Sequence, residues 1–207
     1  RPIYIAYDEW NVWYRAFGED DLEEVYNFED ALAMGMFFNC FFRHADVVKM
    51  ANLAQMVNVI APIMTNEDGY FLQPTYFPLV ELGKQRGNLS LDVFVDAPMY
   101  RPGNRGSLPY LDVSATHDQE TGEVYLNVLN RSEDSDITAS IENQSGSPQG
   151  EMEVWELNHP DLKATHTFGD DERVRPAVRT LSLDMVESTF SHMFPAHSLT
   201  VLKFLVR

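Results

Sequence analysis

Two periods of hydrophobic patterning divide this chain. Through about residue 87 the apolar residues come in blocks, and from about Asn88 they alternate with polar ones. Ile3 to Tyr7 is a short, β-branched-rich apolar run that meets Asp8-Glu9. A buried parallel strand reads this way, with polar residues at its C-terminal end. Val25, Phe28, Leu32 and Met36 then fall at helical spacing and predict a helix from about Asp21 to His44. Acids crowd its start, and Arg43-His44 close its last turn, matching the helix dipole. Val47 to Val59 is a second strand candidate, stopped by Pro62, and a second helix is expected over Phe77 to Gln85, ending before Gly87. Beyond it, Leu89, Leu91, Val93 and Val95 alternate with polar partners, as do Val124, Leu126, Val128 and Ile137, Ala139, Ile141. Pro102-Gly103-Asn104, Glu120-Thr121-Gly122 and the run from Asn143 to Pro148 punctuate them, and Ser198 to Val206 reads as the last strand. Short strands so punctuated indicate a β-sandwich.

The first region poses a physical problem. Two strand–helix units cannot make a parallel sheet covered on both faces. A parallel β/α barrel takes eight such units in roughly 250 residues. Residues 1–87 therefore read as the end of a larger barrel, whose strand Ile3 to Tyr7 expects a neighbour from elsewhere. Residues 88–207 read as the sandwich. The absence of an initiator methionine at Arg1 fits a processed chain or a piece of something longer.

Composition narrows the field. Apolar residues make up 44% of 207, enough for a real core. Fifteen basic against 32 acidic residues give a net charge of −17, which repels phosphate backbones and anionic lipid but not a neutral sugar. Acidity is also the ordinary signature of solubility. No apolar stretch reaches the ~18 residues that span a bilayer, and no signal peptide is visible. The single cysteine, Cys40, lies in the apolar run from Met36 to Phe42 and is expected to be a buried structural thiol. The six histidines show no His-x-x-x-His spacing, so a metal site is not expected, and no Gly-x-Gly-x-x-Gly phosphate loop occurs. Three Asn-x-Ser tripeptides, at Asn88, Asn130 and Asn143, matter only in a secretory pathway.

The chemistry concentrates at the end of the first strand, in Asp8-Glu9-Trp10-Asn11-Val12-Trp13-Tyr14. Carboxylates at the C-terminal end of a barrel strand lie on the face where barrel active sites sit. Cleavage of a glycoside needs a carboxylate to meet the oxocarbenium-like centre. A flat aromatic nearby can wall the sugar ring. On residue types alone, a solvated acid pair followed by core tryptophans explains the same stretch.

That stretch, together with Glu-Val-Tyr-Asn-Phe-Glu-Asp-Ala-Leu at 24–32 and Leu-Ala-Gln-Met-Val-Asn-Val-Ile-Ala-Pro-Ile at 53–63, closely resembles the family 51 glycoside hydrolases. These are α-L-arabinofuranosidases with a (β/α)₈ barrel and a C-terminal β-sandwich of jelly-roll type. The resemblance implies that the chain holds the last two barrel units and the sandwich. It implies that Glu9 is the catalytic nucleophile at the end of strand seven and that Trp13 packs beside the arabinose. Leu22 falls where the family places an apolar residue near the substrate, in a loop that is shorter and more acidic here. Gln55, at the end of strand eight, matches a side chain that hydrogen-bonds the sugar. Trp10 and Asn11 are expected to support the nucleophile. The family's general acid/base lies in a Gly-Asn-Glu motif, and this sequence contains none. The chain alone is thus expected to be inactive without the remaining barrel segment.

By the same resemblance the complete enzyme would release terminal α-L-arabinofuranosyl groups from arabinan- or arabinoxylan-type saccharides, with retention. No cofactor is implied, homo-oligomers are common in the family, and a cytoplasmic location is favoured over secretion. Two rivals stand beside this reading. One is a related retaining glycosidase acting on xylan or β-glucan. The other is a non-catalytic sandwich module for binding or assembly, carrying an inert barrel remnant. Trp155, the sandwich's only tryptophan, reads as packing rather than as a sugar platform.

Overall fold

The structure is a computed structural model that describes residues 1–14, 25–104, 106–183 and 188–206. Packing divides it into two compact units, residues 1–84 with 159–175, and residues 85–158 with 176–207.

The first unit opens with a β–α–β arrangement. Strand β1 (Ile5–Trp10) pairs in parallel with β2 (Val48–Leu53), and helix α1 (Phe28–Arg43) connects them. A parallel pair needs such a crossover, because a tight turn cannot reverse the chain twice. The sequence places the first strand at Ile3 to Tyr7, but β1 runs on to Trp10, which pairs with Leu53, with Asp8 and Glu9 in an irregularity of the ladder. The second strand stops at Leu53, well short of Val59. Of the predicted helix, residues 21–24 lie outside the described residues, and Val25 is exposed and non-helical. The helix starts at Phe28 because Asn27 caps it. Its Oδ1 accepts the Asp30 N–H at 3.1 Å, while Asp30 Oδ2 accepts the Asn27 N–H at 2.8 Å. This reciprocal pair satisfies donors that helix geometry leaves over.

A hairpin follows, β3 (Ile63–Asn66) with β4 (Gly69–Leu72), and then helix α2 (Tyr76–Lys84), within a residue of the predicted span. Asn66 Oδ1 accepts the N–H groups of Asp68 and Gly69 and closes the hairpin turn. The stretch from His159 to Arg175 completes the unit. The carbonyls of Ala164 and Leu162 accept the Phe28 and Glu29 N–H groups, each at 2.9 Å, two further orphan donors of α1. His166, fully buried, bonds the Leu72 carbonyl through Nδ1 at 2.6 Å and accepts the Val174 N–H at Nε2 at 2.9 Å. Those partners fix a neutral imidazole with its proton on Nδ1.

Cys40 corrects an expectation. It is exposed, not buried. It lies on the stripe Glu29, Ala33, Met36, Cys40, Arg43, one helical face marked by charges at both ends. The buried face of α1 instead carries Phe28, Ala31, Leu32, Gly35 and Asn39.

The second unit is antiparallel. Its strands are β5 (Leu89–Leu91), β6 (Met99–Tyr100), β7 (Leu108–Pro109), β8 (Leu111–His117), β9 (Glu123–Asn130), β10 (Ile137–Glu142), β11 (Pro148–Leu157), β12 (Ala177–Leu183), β13 (Thr189–Phe194) and β14 (Ser198–Val206). Six form one sheet in the order β12-β11-β14-β9-β8-β5, while β10 pairs with β13 and β6 with β7. The inward residues of the large sheet, among them Leu126, Val128, Val154 and Leu202, share one core with Phe190 and Phe194 of β13 and with Ile137, Ala139 and Ile141 of β10. Period-two alternation on β10 and β13 is the signature of a sheet with one face inside. The predicted strand from Leu89 to Val95 shortens to Leu89–Leu91. Val95 still packs on the core, while Phe94 stands in solvent. Trp155 is buried in β11.

Burial pushes the pKa of His166 below its ordinary 6.5, and burial does the same to His192. The unfolded chain therefore binds more protons than the folded one below pH about 6.5. The stability these imidazoles contribute is fully present above that pH and is lost as pH falls through their folded-state values. Urea midpoints should drop between pH 7.5 and 5.5, and the drop should be smaller in His166→Gln. An equal drop in the variant would remove His166 from the account. Asp30, raised by burial, works with the opposite sign, its contribution being lost as pH rises from the carboxylate range. The paired comparison cancels it.

Candidate active site at the end of the parallel strands

Strand β1 is not regular. Its register against β2 shifts between Tyr7 and Trp10. In an unbroken strand these two side chains would point to opposite faces. Here both meet Phe41 of α1, with ring centroids 5.7 Å and 5.0 Å away. The irregularity thus turns the chain at Asp8-Glu9. Trp10 is anchored further by Phe37 and Phe38, at 5.2 Å and 5.6 Å, and is 5% exposed. Edge-on and tilted aromatic contacts of this kind add to what the buried area gives.

Beyond Trp10 the chain leaves the ladder and is held by Asn11. The Asn11 Nδ2 donates to the carbonyls of Ala54 at 3.2 Å and Ile60 at 2.5 Å, and its Oδ1 accepts the Val12 N–H. The Trp10 carbonyl accepts the Ala54 N–H. One amide side chain therefore clamps the end of β1 to the segment that follows β2. Tyr26 bonds the Val12 carbonyl through its phenol at 2.8 Å.

The result is an open cleft of about 230 Å³ lined by Tyr7, Glu9, Trp10, Asn11, Trp13, Phe37 and Ala54. Four residues singled out in the sequence, Glu9, Trp10, Asn11 and Trp13, stand together there. Glu9 is exposed, and Trp13 is 61% exposed, so both are free to meet a ligand. Gln55 directly follows the lining residue Ala54, across a cis peptide bond, at the end of β2. Leu22 lies outside the described residues. Tyr7 and Phe37 were not foreseen as lining residues. Tyr7 could have been, since it stands two residues before Glu9 on a strand. Among the described residues no group of three or more His, Cys, Asp or Glu is placed to hold a metal. No helix among them is long and apolar enough to cross a membrane.

An exposed carboxylate, an exposed indole and a clamped backbone at the C-terminal ends of two parallel strands is an arrangement in which α/β proteins bind ligands. The comparisons with known proteins bear on which ligand. The family described as "Alpha-L-arabinofuranosidase C-terminal domain" matches residues 8–198. The chain belongs to the family 51 α-L-arabinofuranosidases, as a C-terminal segment. It is 36% identical, over 99% of its length, to a probable alpha-L-arabinofuranosidase C of Aspergillus clavatus. It is 34% identical, over 80% of its length, to the intracellular exo-alpha-(1->5)-L-arabinofuranosidase 1 of Bacillus subtilis. The chain spans 40% and 35% of those two relatives. In structure it matches the thermostable GH51 alpha-L-arabinofuranosidase of Thermotoga petrophila with a TM-score of 0.85 and 28% identity, over 97% of this chain and 43% of that one.

Proposed function

We propose that this chain carries the nucleophile side of the active site of a retaining, exo-acting α-L-arabinofuranosidase. The observation that carries the reading is the convergence of Glu9, Asn11 and Trp13 on one cleft at the C-terminal end of β1. In this reading β1–α1–β2 is the last part of a (β/α)₈ barrel, and the second unit is its jelly-roll companion. The Glu9 carboxylate attacks the anomeric carbon of a terminal arabinofuranosyl group. The bond from that carbon to the leaving oxygen breaks as an acid on the remaining barrel segment protonates the oxygen. Water then cleaves the glycosyl–Glu9 ester, the same acid having become a base. Trp13 forms an aromatic wall beside the sugar, Gln55 hydrogen-bonds it, and Leu22 adds an apolar contact. Trp10 and Asn11 hold the backbone on which Glu9 stands. Arabinan- and arabinoxylan-type saccharides are the substrates, and the enzyme is a homo-oligomer.

The second carboxyl belongs about 5–5.5 Å from Glu9, the separation of a retaining pair. Positioned acid–base catalysis is worth about 10²–10⁴-fold. This chain alone should therefore release arabinose from an arabino-oligosaccharide, whose sugar leaving group needs the proton, at least about a hundredfold more slowly than the assembled enzyme, that is, the chain together with the segment that supplies the acid. Equal rates would refute the division of labour.

The sugar contacts have their own test. In the assembled enzyme Trp13→Ala should lower kcat/KM by roughly tenfold or more, since aligned binding is what near-attack geometry requires. Gln55→Ala removes one hydrogen bond, about 0.5–1.5 kcal/mol if neutral, and should cost several-fold. Thermal unfolding should be nearly unchanged in Trp13→Ala, because that ring is mostly exposed. If both variants keep the parent kcat/KM, neither residue touches the sugar.

A further inference from the structure

The residues on both sides of Trp13 are tied to one short stretch of chain. The Val12 carbonyl accepts the Tyr26 phenol, and the Tyr14 phenol donates to Asp30 Oδ1. Tyr26 is fully buried and Asp30 is 3% exposed. Asp30 divides its carboxylate between two tasks. Oδ2 closes the capping box with the Asn27 N–H, and Oδ1 receives Tyr14 from sixteen residues back. The box would be complete with Oδ2 alone, so capping does not account for the second bond. Trp13, between the two anchored residues, has a ring that is 61% exposed. Packing does not fix the direction of such a ring, so its backbone must.

We infer that Asp30, acting through Tyr14, is a positioning residue that sets the direction in which Trp13 enters the cleft. The inference rests on the reading of Trp13 as the sugar-facing wall. It connects the start of α1 to the substrate site, so that one buried carboxylate serves both. The chemistry of the pair suits a permanent tether. Burial, and then the Asp30 carboxylate, raise the Tyr14 phenol above its ordinary range, which keeps it protonated as the donor. Hydrogen bonds that end on a buried charged group are stronger than neutral ones.

Four variants of the assembled enzyme test this, assayed on an aryl α-L-arabinofuranoside. Tyr14→Phe, which removes only the tether, should lower kcat/KM by about tenfold, because small misplacements of a positioning group are costly. Introduced into Trp13→Ala, the same change should cost about twofold or less, since the wall it positions is gone. Lys163→Ala, which removes the exposed ion pair to Glu29 in the first turn of α1 and leaves the tether, should keep kcat/KM within about twofold. Fluorotryptophan labelling gives a readout independent of turnover. The Trp13 resonance, assigned by its loss in Trp13→Phe, should shift in Tyr14→Phe and keep its position in Lys163→Ala. An unmoved resonance in Tyr14→Phe, or a full tenfold loss on top of Trp13→Ala, would overturn the inference. If Trp13→Ala itself leaves kcat/KM unchanged, the reading of the cleft fails, and the positioning role falls with it. A shifted resonance beside a Trp13→Ala loss supports both.

Discussion

Glu9→Ala in the assembled enzyme is expected to lower kcat/KM on a natural arabinofuranosyl substrate by about 10⁴-fold or more, the order of loss seen when a covalent nucleophile is removed. The expectation follows from position. Glu9 is the last exposed carboxylate before β1 ends, and it stands beside Trp13 in the cleft. With alanine there, no glycosyl ester can form, and only direct attack by water remains. Azide fits the space left by the carboxylate. On an aryl substrate, whose leaving group needs little protonation, added azide should restore slow turnover and yield a glycosyl azide of inverted configuration. Glu9→Gln should be as inactive as Glu9→Ala, because the amide is a poor nucleophile of nearly the same shape. Neither change should disturb folding, since the side chain is exposed and outside the aromatic anchor of Trp10. Parent-like activity in either variant would sink the assignment.

Why Glu9 faces the cleft was only partly legible. The apolar run and the acids after it predict a strand with polar residues at its end, and that much appears in β1. The register shift between Tyr7 and Trp10 has no mark in the sequence. It shows only when both rings are found on Phe41. The clamp by Asn11 is likewise nonlocal, reaching residues 43 and 49 positions away. No periodicity argument can anticipate such a partner.

Other features are legible in the sequence. Asn66-Glu67-Asp68-Gly69 between two β-rich triplets signals a hairpin, and β3–β4 is that hairpin. Asn27 followed by Asp30 is the pattern of a capped helix start, which places the helix later than a start at Asp21. Cys40 shares its stripe with Glu29 and Arg43, so angular position, not the apolar run around it, decides its exposure. The stretch from His159 to Arg175 was beyond reach, because its bonds to Phe28, Glu29 and Leu72 join positions far apart in the chain. In the second unit alternation on β9, β10 and β14 was enough to find the strands. It could not end the first of them at Leu91, since Val95 keeps the apolar phase after leaving the ladder.

Gly87→Ala should cost about 3 kcal/mol or more, the upper range for overpacking. A Cβ at Gly87 would lie 2.1 Å from the His117 carbonyl carbon, 2.2 Å from its oxygen and 2.5 Å from the Asp118 nitrogen. All three are backbone atoms, so no side-chain rotation can make room. Nor can the strand move cheaply. The Gly87 N–H donates to Thr116 Oγ1 at 2.9 Å, and the Asn88 N–H donates to the His117 carbonyl at 3.0 Å. On its other side His117 is in register with Val124 of β9, and the Asp118 N–H bonds the Glu123 carbonyl. Relieving the clash means breaking one of these ladders. The cause is contact rather than backbone angle, because Gly87 is not among the glycines with positive φ. Gly83, within α2, makes the opposite case. A Cβ there meets nothing within 4 Å, and alanine in a helix costs less conformational entropy than glycine. Gly83→Ala should therefore stabilise by about 0.5–1 kcal/mol. Urea unfolding of the two variants beside the parent decides the matter: a Gly87→Ala midpoint at or above the parent's would mean that β8 yields where its hydrogen bonds say it cannot.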